Sequence, residues 1–242
     1  MMKIDINSDL GEGMPYEEEL MPYITSCNIA CGGHTGNELT MTATLERAKK
    51  FQLNIGAHPS YPDKEHFGRK SMKMEKEEMA MSLLNQIKSL EKLANKTGQK
   101  IHHIKPHGAL YNDAAINYDI AQVIIGLMVE NFPETFLFAP NSSIIEKMAK
   151  EHGVKTKSEI FADRKYLDNL SLVPRTEKNA VLIESKEVID HLYRMVFEGY
   201  VKTVTGKIKP IKADTVCVHG DNPSALALVK EIYEVVNIPM EE

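Results

Sequence analysis

The stretch Ile101–Asn112, IHHIKPHGALYN, concentrates reactive side chains in a short segment. These side chains are Lys105, His107, Tyr111 and Asn112. Pro106 fixes its own φ and the glycine after His107 lets the backbone turn sharply, so a loop is expected here. A turn that served only the fold would not need a lysine, a histidine and a tyrosine as well. We interpret the stretch as an active-site loop that follows a strand, with a polar surface turn as the alternative.

Histidines and carboxylates recur at similar places along the chain. The histidines are His34, His58, His107 and His219, and the carboxylates are Asp9, Glu12, Asp163 and Asp221. Histidine suits general acid–base catalysis because its pKa lies near neutrality, and it is also a common metal ligand. The sequence has no closely spaced pair of the His-x-x-x-His kind that would favour a metal. Acid–base chemistry and a bound divalent ion therefore both remain open.

Two cysteines precede the first of these histidines in the pattern Cys27-x3-Cys31-x2-His34. A zinc site needs a fourth ligand, and Cys27 falls inside a predicted strand, where it presents its side chain poorly to a loop. Cys31 has no neighbouring base that would activate it as a nucleophile. We therefore favour small buried side chains over zinc binding or covalent catalysis.

Four cations fall in the same set of loops: Arg69, Lys105, Arg164 and Arg175. Such cations predict a small anionic substrate or phosphoryl chemistry, with solvated surface charge as the alternative. There is no Walker sequence. The segment Gly11–Gly13 begins like a dinucleotide-binding fingerprint, but Tyr16 stands where the third glycine belongs. A nucleotide site must therefore be unconventional or come from a partner.

Length and composition predict one ordinary globular domain. The 242 residues are 43% hydrophobic and 26% charged, with a formal net charge of −5. The negative charge disfavours nucleic acid and anionic membranes as partners. The three cysteines form no even framework, no signal-peptide pattern opens the chain, and no apolar run is long enough to span a membrane. We expect a cytoplasmic protein.

The order of elements is mostly strand, loop, helix, repeated about seven times. Strands are predicted at 3–9, 23–30, 54–59, from 101, 135–139, 154–161 and 214–219; helices at 38–52, 75–95, 116–131, 142–151, 185–198 and 224–235; and a hairpin within 200–212. This order predicts a parallel α/β fold, either a barrel or an open sheet. Polar residues stand at nearly every strand end: Asp9, Asn28, His34, His58, Lys105, His107, Asp163, Arg164, His219 and Asp221. A barrel gathers all these ends at one mouth, whereas an open sheet gathers few, so we predict one barrel domain over 1–242.

Several motifs together resemble the LamB/YcsF family. They are Ile6–Glu12, Cys27–His34, Gly56–Asp63, Phe67–Arg69, Lys105–Asn112, Phe161–Tyr166, Leu172–Arg175 and Val216–Asp221, in family order and over nearly the whole chain. The resemblance implies a seven-stranded (β/α) TIM-like barrel of the glycoside hydrolase/deacetylase type. It also implies cleavage of 5-oxo-L-proline to L-glutamate coupled to ATP hydrolysis, with Mg²⁺ accompanying the ATP, in complex with B and C subunits. The coupling is chemically reasonable, because an unstrained lactam is a stable amide and phosphorylation of its carbonyl oxygen would assist water attack.

On this resemblance we expect the catalytic residues to be Asp9, Lys105, His107 and His219. The expected substrate-binding residues are Asn28, His34, His58, Arg69, Tyr111, Asp163, Arg164 and Asp221. Asp9 or a histidine would activate water, and Lys105 with two arginines would stabilise the developing negative charge. Asn28 and Tyr111 would orient the substrate.

The chain departs from the family pattern at two loops and in the segment after Gly13. Residues 32–37 read Gly-Gly-His-Thr-Gly-Asn where the family usually has Gly-Phe-His-Ala-Gly-Asp, and Ser171 replaces a glycine before the Leu-Val-Pro-Arg element. Loop shape and substrate preference are open there. Two rival functions remain: a stand-alone metal-dependent hydrolase similar to deacetylases, and a non-catalytic regulatory subunit.

Overall fold

A closed barrel of seven parallel strands forms the centre of the computed structural model, which describes residues 4–178, 180–222 and 224–237. The strands are β1 Asp5–Leu10, β2 Ser26–Ala30, β3 Asn54–His58, β4 His103–Ile104, β5 Phe136–Pro140, β6 Thr156–Phe161, β7 Tyr200–Lys202, β8 Ile208–Pro210 and β9 Thr215–Cys217. The barrel runs β1-β2-β3-β4-β5-β6-β9, and β9 pairs with β1 to close it. The predicted barrel is thus confirmed over the alternative of an open sheet. The first predicted strand begins at Lys3, which lies outside the described residues.

Helices follow most of the strands. They are α1 Glu17–Leu20, α2 Glu38–Lys50, α3 Lys76–Lys96, α4 Gly108–Ile116, α5 Tyr118–Asn131, α6 Ile144–Glu151, α7 Ser185–Val196 and α8 Ala225–Asn237, with a short 3-10 turn at Met21–Tyr23. Asn37 caps α2, because its side chain accepts hydrogen bonds from the backbone N–H groups of Leu39 and Thr40. The predicted hairpin is also confirmed, as β7 pairs antiparallel with β8. None of the helices in the described ranges is long and apolar enough to cross a bilayer.

The interior of the barrel is polar. Along β1, Ile6 and Leu10 join the hydrophobic core, whereas Asn7 forms a hydrogen bond across the barrel to Glu159. Side chains alternate between the two faces of a strand, so Asn7 and Asp9 face the axis, whereas Ile6 and Leu10 face the helices. Branched apolar residues usually fill such an interior. Here a ladder of hydrogen-bonded polar groups instead leads to the carboxyl ends of the strands.

The segment after β4 differs from the sequence-based prediction. The helix predicted over 116–131 is present as α5, but the sequence did not predict the separate helix α4, which begins at Gly108. The predicted active-site loop is therefore only a short connection, and Tyr111 lies on a helix. Gly108, at the start of α4, has a φ of +57°, and its backbone lies so close to Gly68 that a Cβ on Gly108 would be 2.6 Å from the Gly68 carbonyl oxygen. Its role is to allow this close approach at the start of a helix.

Replacing Gly56 by alanine should destabilise the barrel. A Cβ at this position would lie 2.1 Å from Nε2 of His103, which is fully buried and hydrogen-bonded to Asn28. Overpacking of this kind lowers the free energy of unfolding by about 1–3 kcal/mol, as urea denaturation would measure. Gly126→Ala in α5 is the matched control, because a Cβ there meets nothing within 4 Å. That variant should gain about 0.5–1 kcal/mol, and equal stability of the two variants would contradict this packing.

Candidate active site

The carboxyl ends of the barrel strands open into a cavity of about 910 Å³. Nine of the residues predicted from the sequence line it: Asp9, His58, Arg69, Lys105, His107, Tyr111, Arg164, His219 and Asp221. The loop 167–176 contributes further wall residues. Asn28, His34 and Asp163 do not line the cavity, but each contacts a side chain that does. The predicted ring of polar residues therefore converges on one mouth.

Lys105 is the buried cation of the site. Its Nζ lies 3.0 Å from Asp9 Oδ1 and 3.1 Å from Glu159 Oε1. It also donates to Cys217 Sγ at 3.1 Å and to Asn7 Oδ1 at 3.2 Å. Burial alone would lower the pKa of Lys105, but the surrounding negative groups, Asp9 first, outweigh it and hold this pKa well above its usual value. Lys105 is therefore a fixed positive charge and is unsuited to act as a base.

Asp9 is the carboxylate that faces this cation. Burial would raise the pKa of Asp9, but His58 and Lys105 together hold it well below its usual value. Oδ1 accepts hydrogen bonds from Asn28 Nδ2 at 2.8 Å and from Lys105, and Oδ2 lies 3.3 Å from His58 Nε2. Asp9 is thus ionised and weakly basic, and it is fitted to hold charge or a ligand in place.

His219 and Asp163 form a dyad at the mouth. His219 Nδ1 lies 3.1 Å from Asp163 Oδ1, and the imidazole ring stacks on Phe161. Asp163 is fully buried, yet His219 and Asn222 keep its pKa below the usual value against the effect of burial. The ionised carboxylate accepts a hydrogen bond from Nδ1–H, which leaves the Nε2 lone pair of His219 free to take a proton. This is the arrangement of a general base that is oriented by a buried acid.

Three more histidines pack together beside Asp9. His34 stacks on His107 with ring centroids 3.7 Å apart, and His58 meets both rings edge-on. Burial lowers the pKa of His34 to about 3 and that of His107 well below its usual value. Glu12 joins this cluster, since its Oε1 lies 2.9 Å from His34 Nε2, and burial raises the pKa of its carboxyl group well above the usual value.

Two arginines share one carboxylate at the rim. Arg69 and Arg175 donate to the same oxygen of Asp221, Oδ2, at 2.6 and 2.8 Å. Arg164 is buried and donates to the Val173 carbonyl oxygen at 2.5 Å. Burial lowers the pKa of Arg164 to about 10, so it stays charged near neutrality. Of these three arginines, Arg164 is therefore the one that donates no hydrogen bond to a carboxylate in the described part of the chain.

Several buried polar atoms of the cavity wall lack a hydrogen-bond partner in the described part of the chain. They are Tyr111 Oη, Glu159 Oε2, Arg164 Nε and Asp221 Oδ1. Only two further buried side-chain atoms in the described ranges are unpaired, in Asp63 and Arg194. A buried donor or acceptor without a hydrogen-bond partner destabilises the folded protein. Four such atoms in one cavity wall therefore indicate that a polar ligand binds there.

The cysteines and the glycine-rich turn have other roles. Burial raises the pKa values of Cys27 and Cys31 to about 12, which fits the favoured interpretation of both as packing residues. Neither belongs to a metal-ligating cluster of the described residues. The backbone N–H groups of Gly11, Glu12 and Met14 donate to the Glu17 carboxylate at 2.9–3.0 Å. That turn is therefore filled by the protein's own anion and does not present its amides to a phosphate.

Sequence reasoning did not select Glu159 and Phe161 for the site. Both line the cavity, and Glu159 pairs with Lys105. The selection covered polar residues at or after the ends of strands. Glu159 lies inside β6, and Phe161, at the end of β6, is not polar. The sequence did contain a signal for them, because side chains two residues apart lie on the same face of a strand. Glu159 and Phe161 therefore share a face, and Asp163 follows at the same spacing beyond the strand end.

Comparison with known proteins supports the likeness seen in the motifs. The profile of the LamB/YcsF family matches residues 4–239. A protein named as the A subunit of 5-oxoprolinase from Haemophilus influenzae (strain PittEE) is 41% identical over 234 residues, which cover 97% of this chain and 96% of that one. One of the same name from Pyrococcus horikoshii is 38% identical over 252 residues, covering 100% and 99%. The crystal structure of a lactam utilization protein from Thermus thermophilus superposes with a TM-score of 0.89 at 32% identity, covering 97% and 96%.

Proposed function

This chain belongs to the LamB/YcsF family, and we propose that it is the A subunit of a 5-oxoprolinase, a hydrolase that opens the lactam ring of 5-oxo-L-proline to give L-glutamate. The observation that carries the proposal is the pairing of a fixed cation with a free proton acceptor in one cavity. Lys105 supplies the positive charge and His219 supplies the acceptor. Opening a lactam with water needs both, since negative charge develops on the carbonyl oxygen as water loses a proton.

The unpaired atoms of the cavity fit the groups of this substrate. In our proposal the Arg164 guanidinium receives the carboxylate of 5-oxoproline, because guanidinium and carboxylate are matched in charge and shape. Tyr111 Oη and Glu159 Oε2 lie unpaired in the same wall. Glu159 Oε2 can accept a hydrogen bond from the lactam N–H, and the Tyr111 hydroxyl can donate one to the lactam carbonyl oxygen. Arg69 adds positive charge at the rim.

In the proposed reaction the oxygen of a water molecule bonds to the lactam carbonyl carbon while His219 Nε2 accepts its proton. The C–N bond of the ring then breaks, and the proton passes from His219 to the departing nitrogen. Lys105 stabilises the charge on the carbonyl oxygen, while Arg164 holds the substrate carboxylate. Asp9 and His107 act in this proposal as catalytic residues beside Lys105, where they hold the reacting groups in place.

Three of the residues predicted to bind substrate are assigned here to positioning. Asn28 fixes the Asp9 carboxylate, Asp163 fixes His219, and His34 packs against His107. None of the three lines the cavity, so each acts through the residue that it contacts.

We propose that the nucleotide site belongs mainly to a partner protein of the complex. ATP with Mg²⁺ supplies activation of the lactam carbonyl in the coupled reaction that the family resemblance implies. In this chain, however, the turn at Gly11–Gly13 is filled by Glu17, and Arg69 and Arg175 are paired with Asp221. The described residues therefore offer no ready cradle for a triphosphate, and we assign no step to it here.

The relatives are named as A subunits, which indicates an assembly, and we propose B and C subunits as the partners of this chain. The cavity mouth is the surface where an activating partner must reach the lactam. The three cysteines are all free and buried, which suits the reducing cytoplasm in which we place the complex.

Reconstitution tests this function. Glutamate release from 5-oxo-L-proline and ATP should require this chain together with its B and C subunits, and should fall to background when any one is omitted. Release by B and C alone would reduce this chain to a regulatory role. No release with any combination would reject the assignment.

A further inference from the structure

We propose that Asp9, Glu12, His58 and His107 bind a divalent metal cation at the mouth of the barrel, with Zn²⁺ the best-matched ion. One ligand atom from each of these residues lies within 4.8 Å of all the others, and all four residues line the cavity. The site would give Asp9 and His107 a defined chemical role. It does not depend on the identity of the lactam or on the partner subunits.

The hydrogen bonds of the two histidines fix which nitrogens face each other. His58 Nδ1–H donates a hydrogen bond to the carbonyl oxygen of Lys105 at 2.7 Å. His107 Nε2 donates to the carbonyl oxygen of Phe67 at 3.0 Å. The remaining nitrogens, His58 Nε2 and His107 Nδ1, lie 2.9 Å apart, so two neutral rings would direct lone pairs at each other. Such a contact is repulsive unless a positive centre lies between or beside the nitrogens.

The spacing of the candidate ligand atoms matches a metal site. Ligands about 2.1 Å from a tetrahedral zinc ion are about 3.4 Å from one another. His58 Nε2 lies 3.3 Å from Asp9 Oδ2 and 3.9 Å from Glu12 Oε1, and His107 Nδ1 lies 3.5 Å from the same Glu12 oxygen. Only the contact between the two histidines is shorter, so a small movement of these rings would complete the set.

The surroundings of these ligands also resemble those of a metal centre. Both histidines are oriented by backbone carbonyl groups that accept the proton of their far nitrogen, as is usual for metal-bound imidazole. Asn28 holds the other oxygen of Asp9, and His34 contacts Glu12. Each of the four ligands is thus held by a neighbour that would not itself touch the metal.

The donor set selects the class of ion. Two imidazole nitrogens with two carboxylates suit Zn²⁺ or a similar transition-metal ion, whereas Mg²⁺ prefers oxygen ligands alone. Because the four residues border the cavity, the ion would keep access to a water molecule or a substrate oxygen. A proton shared between His58 and His107 is the competing explanation of their short contact, and it requires no metal.

Calorimetric titration of the chelator-treated, full-length chain with Zn²⁺ tests the site directly. We expect one equivalent to bind, and His58→Ala and His107→Ala should each weaken binding by about 100-fold or more. His66→Ala is the matched control, since His66 is an exposed histidine paired with Asp63 and lies outside the cluster. It should bind as the wild type does. An X-ray absorption spectrum of the bound ion should show two imidazole nitrogens and two carboxylates.

No binding by the wild-type chain, or unchanged binding by both alanine variants, would overturn the metal site and favour the shared proton. Circular dichroism shows whether the variants fold. If they do not, the absorption spectrum of the wild-type protein decides the question, and a spectrum without histidine ligands rejects the proposal. Zinc binding is measured without lactam or partners, so its failure would leave the proposed hydrolase activity standing. Conversely, failed reconstitution would leave the metal site standing.

Discussion

Replacing Lys105 by methionine is expected to nearly abolish lactam cleavage in the reconstituted complex. Methionine keeps an unbranched chain but removes the charge that faces Asp9 and Glu159. Loss of a preorganised group that stabilises a transition-state oxyanion lowers kcat by about 100- to 1000-fold. The variant should also lose about 3–5 kcal/mol of unfolding free energy, because one partner of a buried ion pair is left uncompensated. Steady-state glutamate release and urea denaturation measure the two effects.

A second variant separates stability from chemistry in this prediction. In Lys105→Met/Glu159→Gln the uncompensated buried charge is reduced, so part of the lost stability should return while activity stays low. Lys76→Met is the control, since its ion pair with Asp119 is exposed at the surface and contributes only about 0–1 kcal/mol. Full activity in Lys105→Met would show that the cation does not take part in the reaction.

Removing the proposed base should have an effect of similar size with less loss of stability. His219→Asn removes the free nitrogen that accepts the proton from water, and general-base catalysis contributes about 100- to 10,000-fold. We expect kcat to fall within this range while KM changes little, because Arg164 and Tyr111 still bind the substrate. His152→Asn, at the end of α6 and hydrogen-bonded to Met148, should retain wild-type kinetics.

Asp163→Asn tests how His219 is positioned. An amide at this place can donate to His219 Nδ1, which would move the ring proton to Nε2 and remove the acceptor from the cavity. Turnover should fall although His219 itself is unchanged, and the NMR shifts of its ring nitrogens should report the exchanged tautomer. Unchanged turnover together with an unchanged tautomer would mean that the dyad does not serve catalysis.

The barrel and the location of the site could be predicted from the sequence because both depend on residues that are close together in the chain. Nearly every barrel strand ends in a turn that carries a histidine, lysine or acid, and parallel strands place these ends side by side. His58, Lys105 and His219 could therefore be assigned to one mouth without knowledge of any contact. Asn37 could likewise be recognised as a helix cap from its type and place.

The remaining features depend on contacts between distant segments. Glu159 lies inside β6 and becomes important only because Lys105, far away in sequence, reaches it across the barrel. Gly108 resembles an ordinary turn residue in the sequence, because its approach to Gly68 cannot be seen there. The orientation of His58 and His107 is set by carbonyl groups of other loops, so their facing lone pairs appear only in three dimensions.

The position of bound 5-oxo-L-proline in a structure of the assembled complex is the most direct test of the central claim, which is that this barrel mouth holds the lactam. We predict density for the lactam in the cavity, with its carboxylate at Arg164 and its carbonyl group between Lys105 and His219. Density for the lactam on a different protein of the complex, with this cavity free of it, would contradict the account.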